Sequence, residues 1–303
     1  MFTGRDGENI NGPSLILAPD WLPNRLGKFY LYFAHHSGTH IRLAYADDLT
    51  GPWTLYPAGT LQLSDAHACQ DHIASPDVHL DTSNDEIILY FHGVVRGGTT
   101  QKTFMARSRD GITFTAGDTP IADFYLRVAP WRDSWIGMSK GGVMYLADQY
   151  FGPYERLPKP AFPMRHKDGN APGDVRHAAL KVTGDTLEVY YSRIGGRPER
   201  ILRATIDLTQ PKENWRAANP QTVLKPELPW EGAQLRRAKS RAGASTQPEN
   251  ALRDPAIFLW EGRTYLLYTG AGEANIGIAQ ILDEPPSPPV LRFWQKFLKL
   301  WPM

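Results

Sequence analysis

The chain has 303 residues, 42% of them hydrophobic, with 33 basic against 32 acidic side chains and a formal net charge of +1. That balance makes no global field for nucleic acid or an anionic membrane. The lone cysteine, Cys69, excludes an internal disulfide and reads as an unreactive thiol, and no window approaches the roughly 18 apolar residues of a membrane span.

The N-terminal Met1-Phe2-Thr3-Gly4-Arg5-Asp6 lacks the apolar core of a signal peptide. A cytoplasmic location is therefore expected, or a secreted or periplasmic one if a signal has been removed. Nine tryptophans, thirteen tyrosines and 25 prolines suit a loop-rich β protein that handles flat, polar ligands.

An apolar strand ending in an aromatic recurs along the chain. Its copies are Phe29-Tyr30-Leu31-Tyr32-Phe33, Ile87-Ile88-Leu89-Tyr90-Phe91, Val143-Met144-Tyr145-Leu146-Ala147, Leu187-Glu188-Val189-Tyr190-Tyr191 and Tyr265-Leu266-Leu267-Tyr268-Thr269. Four copies have a clear partner strand upstream, beginning near Pro13, Pro76, Val175 and Pro255; the third has a blurred one around residues 127–138. A third strand follows most of them. Five units of about four strands predict an all-β, five-bladed β-propeller over residues 1–283. Residues 153–174 and 219–250 interrupt the pattern as long loops, the second carrying a basic run, Arg236-Arg237-Ala238-Lys239, that reads as a solvated face. Residues 284–303 read as a stiff Pro-rich spacer and an amphipathic tail at helical spacing, suited to docking, partner binding or homo-oligomer formation.

In a propeller the innermost strands line one funnel, so polar residues at their beginnings converge. Here those are Asn11 and Ser14; His72, Asp77 and His79; Arg127 and Trp131; Arg176 and His177; Arg253 and Asp254. The ends of the second strands add His35, His36, His92 and Glu273. Carboxylates, histidines, arginines and aromatics in one pocket are what sugar chemistry uses: an acid protonates the leaving oxygen, a carboxylate activates water or stabilises a cationic transition state, and rings carry the sugar face. His72, Asp77 and His79 do not make a convincing metal set, and neither a metal nor a cofactor is expected.

The repeat, with Ser75-Pro76-Asp77-Val78, Arg253-Asp254-Pro255 and the strand after it, resembles the five-bladed propeller glycoside hydrolases of families 43, 32, 68 and 117 over roughly residues 10–282. By that resemblance Asp254, in an Arg-Asp-Pro element, stabilises or modulates the transition state, and Trp230-Glu231-Gly232 matches the Glu-Gly element that carries the acid in family 43. The departure is at Asn11-Gly12-Pro13, where glycine stands in place of the expected base. Asp77, or Asp6 or Glu8 from the N-terminal arm, then has to supply that carboxylate.

The expected activity is hydrolysis of a plant or algal oligosaccharide. Asp77 and Asp254 serve as paired carboxylates, and Glu231, Glu273 or His177 donates the proton. His35, His72, Arg127, Trp131, Arg176 and Arg253 are expected at the substrate, the three arginines favouring an anionic sugar such as a uronate or a sulfated sugar. The alternatives are a sugar-binding propeller without catalysis and a glycoside phosphorylase.

Overall fold

The computed structural model describes residues 8–282 and, beyond them, the backbone of strand Trp294–Lys299. Asp6 and the Pro-rich spacer lie outside the described residues. Blade 1 comprises β1 (Asn11–Leu17), β2 (Phe29–Ala34), β3 (Arg42–Ala46) and β4 (Thr54–Tyr56). Blade 2 comprises β5 (Cys69–Asp81), β6 (Glu86–Val95), β7 (Gln101–Ser108) and β8 (Thr115–Ala116), with β9 (Ala122–Asp123) also paired to β7. Blade 3 comprises β10 (Arg127–Trp131), β11 (Ser134–Ser139), β12 (Val143–Ala147) and β13 (Glu155–Arg156). Blade 4 comprises β14 (Val175–Thr183), β15 (Thr186–Arg193), β16 (Ile201–Asp207) and β17 (Ala218–Leu224). Blade 5 comprises β18 (Arg253–Trp260), β19 (Arg263–Gly270), β20 (Asn275–Ile281) and β21 (Trp294–Lys299). Each is an antiparallel meander, which is the predicted five-bladed propeller.

The all-apolar second strands follow from this architecture. Side chains alternate across a strand, and each blade is covered on both faces by its neighbours. Phe29, Leu31 and Phe33 of β2 pack with Phe258, Tyr265 and Leu267 of blade 5, whereas Tyr30 and Tyr32 pack with Ile87, Leu89 and Phe91 of blade 2. The other face of β6, Ile88 and Tyr90, joins Val143 and Tyr145 of blade 3. Met144 then meets Leu187, Val189 and Tyr191 of blade 4, and Tyr190 meets Leu266 and Tyr268 of blade 5. Five hydrophobic seams thus close a ring. The Ile10 backbone N–H donates to the Glu273 carbonyl at 2.6 Å, tying the N-terminal arm to blade 5.

Three expectations are corrected. Val143–Ala147 is the third strand of its blade; the second is Ser134–Ser139, which the short hairpin after Pro130 obscures. The loop expected from residue 219 begins inside β17, which pairs with β16. The tail expected to be helical contains strand β21, paired antiparallel to β20, because an open sheet edge offers unpaired backbone groups that a neighbouring segment can satisfy. The run 236–239 is exposed, as expected of a solvated face, and Cys69 is buried, its thiol pushed up to about 11 chiefly by burial. Among the described residues no helix is long and apolar enough to cross a membrane.

Candidate active site

The funnel is shaped by one device used repeatedly. In blades 1, 2, 4 and 5 the inner strand skips register at the same place, so that two residues oppose one on the second strand: Gly12-Pro13, Ser75-Pro76, Arg176-His177 and Asp254-Pro255. Such a bulge bends the strand and re-aims a side chain. The first bulge residue has left-handed backbone at Gly12 (φ 57°), Ser75 (φ 51°) and Asp254 (φ 47°). In blade 3, Tyr125 (φ 62°) stands in the same position relative to the first paired residue, Arg127. Proline tolerates the second position because the bulge removes that residue's ladder bond. The X-Pro repeats of the sequence are therefore bulges that mark the funnel wall.

Asp254 and His177 meet there. His177 Nδ1 is in ion-pair contact with Asp254 Oδ1, and Thr269 Oγ1 donates to Asp254 Oδ2 at 3.3 Å. Burial alone would raise the Asp254 carboxyl; the His177 ring, then Arg253 and Arg176, outweigh it and hold the group well below the usual carboxylate range. Burial is also the main influence on His177. With Arg176 and Lys140 it lowers the imidazole below its ordinary value against the pull of Asp254. Its surroundings thus disfavour the charged imidazolium, and of the two ring nitrogens Nδ1 is the one that faces the carboxylate.

A second carboxylate–histidine pair lies beside it. Glu273 is buried at the base of a cleft of about 620 Å³ that His35, His36, Asn9 and residues 244–248 also line. His36 Nδ1 is 3.6 Å from Glu273 Oε2, and Asn9 Nδ2 donates to the same oxygen at 2.6 Å. Arg253 Nη1 donates to Oε1 at 3.2 Å. Burial opposes ionisation of Glu273, but His36 and Arg253 prevail and lower its carboxyl.

Arg253 links the two pairs. Its guanidinium is fully buried and contacts three glutamates: Glu273, Glu249 at 2.7 Å and Glu199 at 3.1 Å. Arg176 holds Glu199 in a two-pronged contact, Nε to Oε1 at 2.8 Å and Nη2 to Oε2 at 3.1 Å. Tyr125 completes the centre, its ring centroid 4.3 Å from those of both His92 and His177. Burial, then Asp254 and Glu273, push its phenol up, so it stays a protonated hydroxyl that can donate as well as accept.

The structure therefore gathers His177, Asp254, Arg176, Arg253 and Glu273, with His35 in the cleft above Glu273. His72 sits against His92 (5.9 Å) at the blade 2 wall. Four expected residues lie elsewhere. Asp77 is bound into the seam between blades 2 and 3 by His79 (3.0 Å), Arg127 (3.2 Å) and the Val128 N–H (3.1 Å). Burial opposes its ionisation, but His79 and Arg127 bring its carboxyl down to about 2. Arg127 also donates to the Pro76 carbonyl. Glu231 is buried between blades 4 and 5, accepting from the Glu227 and Leu228 N–H groups and from Tyr268 Oη at 2.7 Å. Trp131 is at the far end of β10, donating to Asp185 at 3.0 Å and packed on Trp215. The arginines expected to grip an anionic sugar are each engaged by the protein's own carboxylates.

Gly12 explains the missing base. A Cβ there would come 2.7 Å from Ser75 Cα, so the neighbouring bulge occupies the space that a side chain needs. Sequence reading missed Tyr125, Glu199 and Glu249. Tyr125 carried no strand signal, and the two glutamates sit in loops whose path the sequence does not specify.

This architecture is the five-bladed propeller of the family 43 glycoside hydrolases and their relatives. No family model matches the chain. A thermostable family 43 glycoside hydrolase superposes with a TM-score of 0.64 at 12% identity, covering 92% of this chain and 95% of its own. CoXyl43, a β-xylosidase/α-arabinofuranosidase from a compost microbial metagenome, gives 0.62 at 13%, covering 91% and 92%. The α-L-arabinanase of Cellvibrio cellulosa gives 0.61 at 11%, covering 91% and 93%. In sequence, the chain is 38% identical over 304 residues to the uncharacterized protein R118 of Acanthamoeba polyphaga mimivirus, covering 90% of this chain and 83% of that protein, and it belongs to that protein's family.

Proposed function

We propose that the protein is a glycosidase in which two histidine–carboxylate pairs, Asp254–His177 and Glu273–His36, carry the proton transfers. The observation behind this is the Asp254–His177 pair on the funnel wall, beside a blade 1 position where no carboxylate fits. His177, neutral and oriented by Asp254, takes the proton from the attacking water through Nε2. His36, held by Glu273 at the cleft, gives a proton to the leaving oxygen. Asp254 and Glu273 stay ionised and offset the positive charge that develops on the sugar ring. The pentose-processing activities named for the structural neighbours make xylo- and arabino-oligosaccharides the first substrates to assay, followed by other plant and algal oligosaccharides.

The test is turnover of that panel by the native chain, Asp254→Asn and His177→Gln. Loss of one properly placed acid or base reduces kcat by about 10²–10⁴-fold, with KM little changed. Unchanged turnover in either variant removes this mechanism.

A second reading, sugar binding without catalysis, draws on one observation: neither Asp254 nor Glu273 is held protonated, so the funnel lacks the raised carboxylic acid of an ordinary glycosidase. Oligosaccharide binding with no turnover across the panel would select it. Phosphorolysis loses its support, because Arg127, Arg176 and Arg253 are all paired internally.

A further inference from the structure

Next to the funnel lies a cleft of about 370 Å³ in which basic groups outnumber acidic ones. Its cations are Lys102, Lys140, Arg156 and Lys167, and its acids Asp123 and Asp168. Lys102 and Arg156 are both drawn to Asp123, at 2.6 and 3.5 Å. Lys140 is different. Its ammonium donates to the neutral Asn170 Oδ1 at 2.6 Å and lies over the Phe124 and Tyr125 rings, at 5.1 and 5.9 Å. Among the described residues no carboxylate is within ion-pair distance of it. Its backbone is fixed by the Gly141-Gly142 turn, where both residues have left-handed φ (76° and 77°) and a Cβ on Gly141 would meet Met164 at 2.9 Å.

A half-buried cation facing a cleft without a partner anion is incomplete, because desolvation disfavours its charge until an anion arrives. Phe124 offers a flat face in the same cleft, and Thr100 a hydroxyl for sugar hydroxyls. One side chain stands between the cleft and the proposed reaction centre: the Tyr125 ring that Lys140 overlies is 4.3 Å from His177.

We propose that this cleft is a subsite for the carboxylate-bearing ring of an acidic sugar, a uronate, with Lys140 receiving the carboxylate and Phe124 carrying the ring. The inference rests on the reading of the funnel as a glycan site, and it moves the anion from the three arginines, which are paired, to the lysine, which is not.

The pH behaviour offers a check that needs no substitution. Burial, with the charge of Arg176, brings the Lys140 ammonium down to about 8, against the pull of Asp174 and Asp168. Lys102, Arg156, Lys167 and Asp123 also face the cleft, and Tyr125, His92 and His177 lie on its inner side. Lys140 is brought by its surroundings to change charge between pH 7 and 9. The uronate preference is then full at pH 7 and falls as pH rises through about 8.

Isothermal titration with galacturonate, mannuronate and glucuronoxylan oligomers, each beside neutral galactan, mannan and xylan oligomers of equal length, tests the inference. At least one acidic oligomer is expected to bind about tenfold tighter than its neutral counterpart. That advantage should disappear in Lys140→Met, persist in Lys140→Arg and fade between pH 7 and 9. Equal binding of the two sets, no binding of any acidic oligomer, or an advantage that survives both Lys140→Met and pH 9 overturns it. Should Lys140→Met fail to fold, the pH series on the native chain decides. Binding is read without turnover, so acid preference with no hydrolysis refutes the glycosidase reading and leaves the subsite standing. Hydrolysis of neutral oligomers with no acid preference does the reverse.

Discussion

Gly12 and Ser75 stand in equivalent bulges of adjacent blades, so close that a Cβ on Gly12 would lie 2.7 Å from the Ser75 backbone. The closure of the ring thus forbids a carboxylate where the resemblance calls for one. Gly12→Asp should lower stability by about 1–3 kcal/mol through the left-handed backbone and the clash together, and should not raise turnover. Urea unfolding and the oligosaccharide assay check both halves; a stable variant with increased activity would show that the position is an emptied catalytic site.

Acid should unfold the protein earlier than carboxylate titration alone predicts. His72, His92 and His177 are all lowered, burial being the first cause in each. The unfolded chain therefore binds more protons than the native one as pH falls below the ordinary histidine value of about 6.5, and stability declines from there. Asp77 and Asp254 are depressed, so their contribution is complete above about pH 4 and is lost below it. Unfolding midpoints measured from pH 7.5 to 4 should fall continuously, and His92→Asn should flatten the upper part of the curve. A flat midpoint down to pH 5 contradicts the burial of these rings.

Arg253 should be the least replaceable residue of the network. Removing it leaves Glu199 and Glu273 as buried charges short of their partner. Breaking a buried pair in this way costs about 3–5 kcal/mol. Arg253→Met should therefore reduce soluble yield or the unfolding midpoint sharply, and Arg253→Lys should not rescue it, because an ammonium cannot span three carboxylates in the plane that a guanidinium does. Full recovery with lysine would mean that charge alone matters there.

Asp77 and Glu231 separate structural from catalytic carboxylates. Both accept bonds inside blade seams. Asp77→Asn and Glu231→Gln should each destabilise by about 1–3 kcal/mol while leaving kcat within a few fold of native. A loss of kcat by 10²-fold or more in a folded Glu231→Gln protein would return the acid to the position that the Trp-Glu-Gly resemblance implied.

The fold was legible because it is written locally and repeated. A strand apolar on both faces reads the same in any blade, and five copies at propeller spacing leave few architectures. The X-Pro dipeptides of blades 1, 2 and 5 were visible too, but as strand beginnings; that they are bulges within the strands, and that His177 meets Asp254 there, came only from the tertiary structure. The third blade was blurred because its inner hairpin is short and interrupted by Pro130.

Which carboxylate faces the funnel was not legible, because a seam and a funnel wall are separated by one residue of register. Asp77 stands two residues past its bulge position and points into a seam; Asp254 stands on the bulge and meets His177. Partners from distant loops then decided which charges were free. Glu199 and Glu249 take up arginines expected to meet an anionic ligand, while Lys140, unremarkable in sequence, has no carboxylate within ion-pair distance among the described residues. Local periodicity determined the blades; only closing them into a ring determined which side chains share a space.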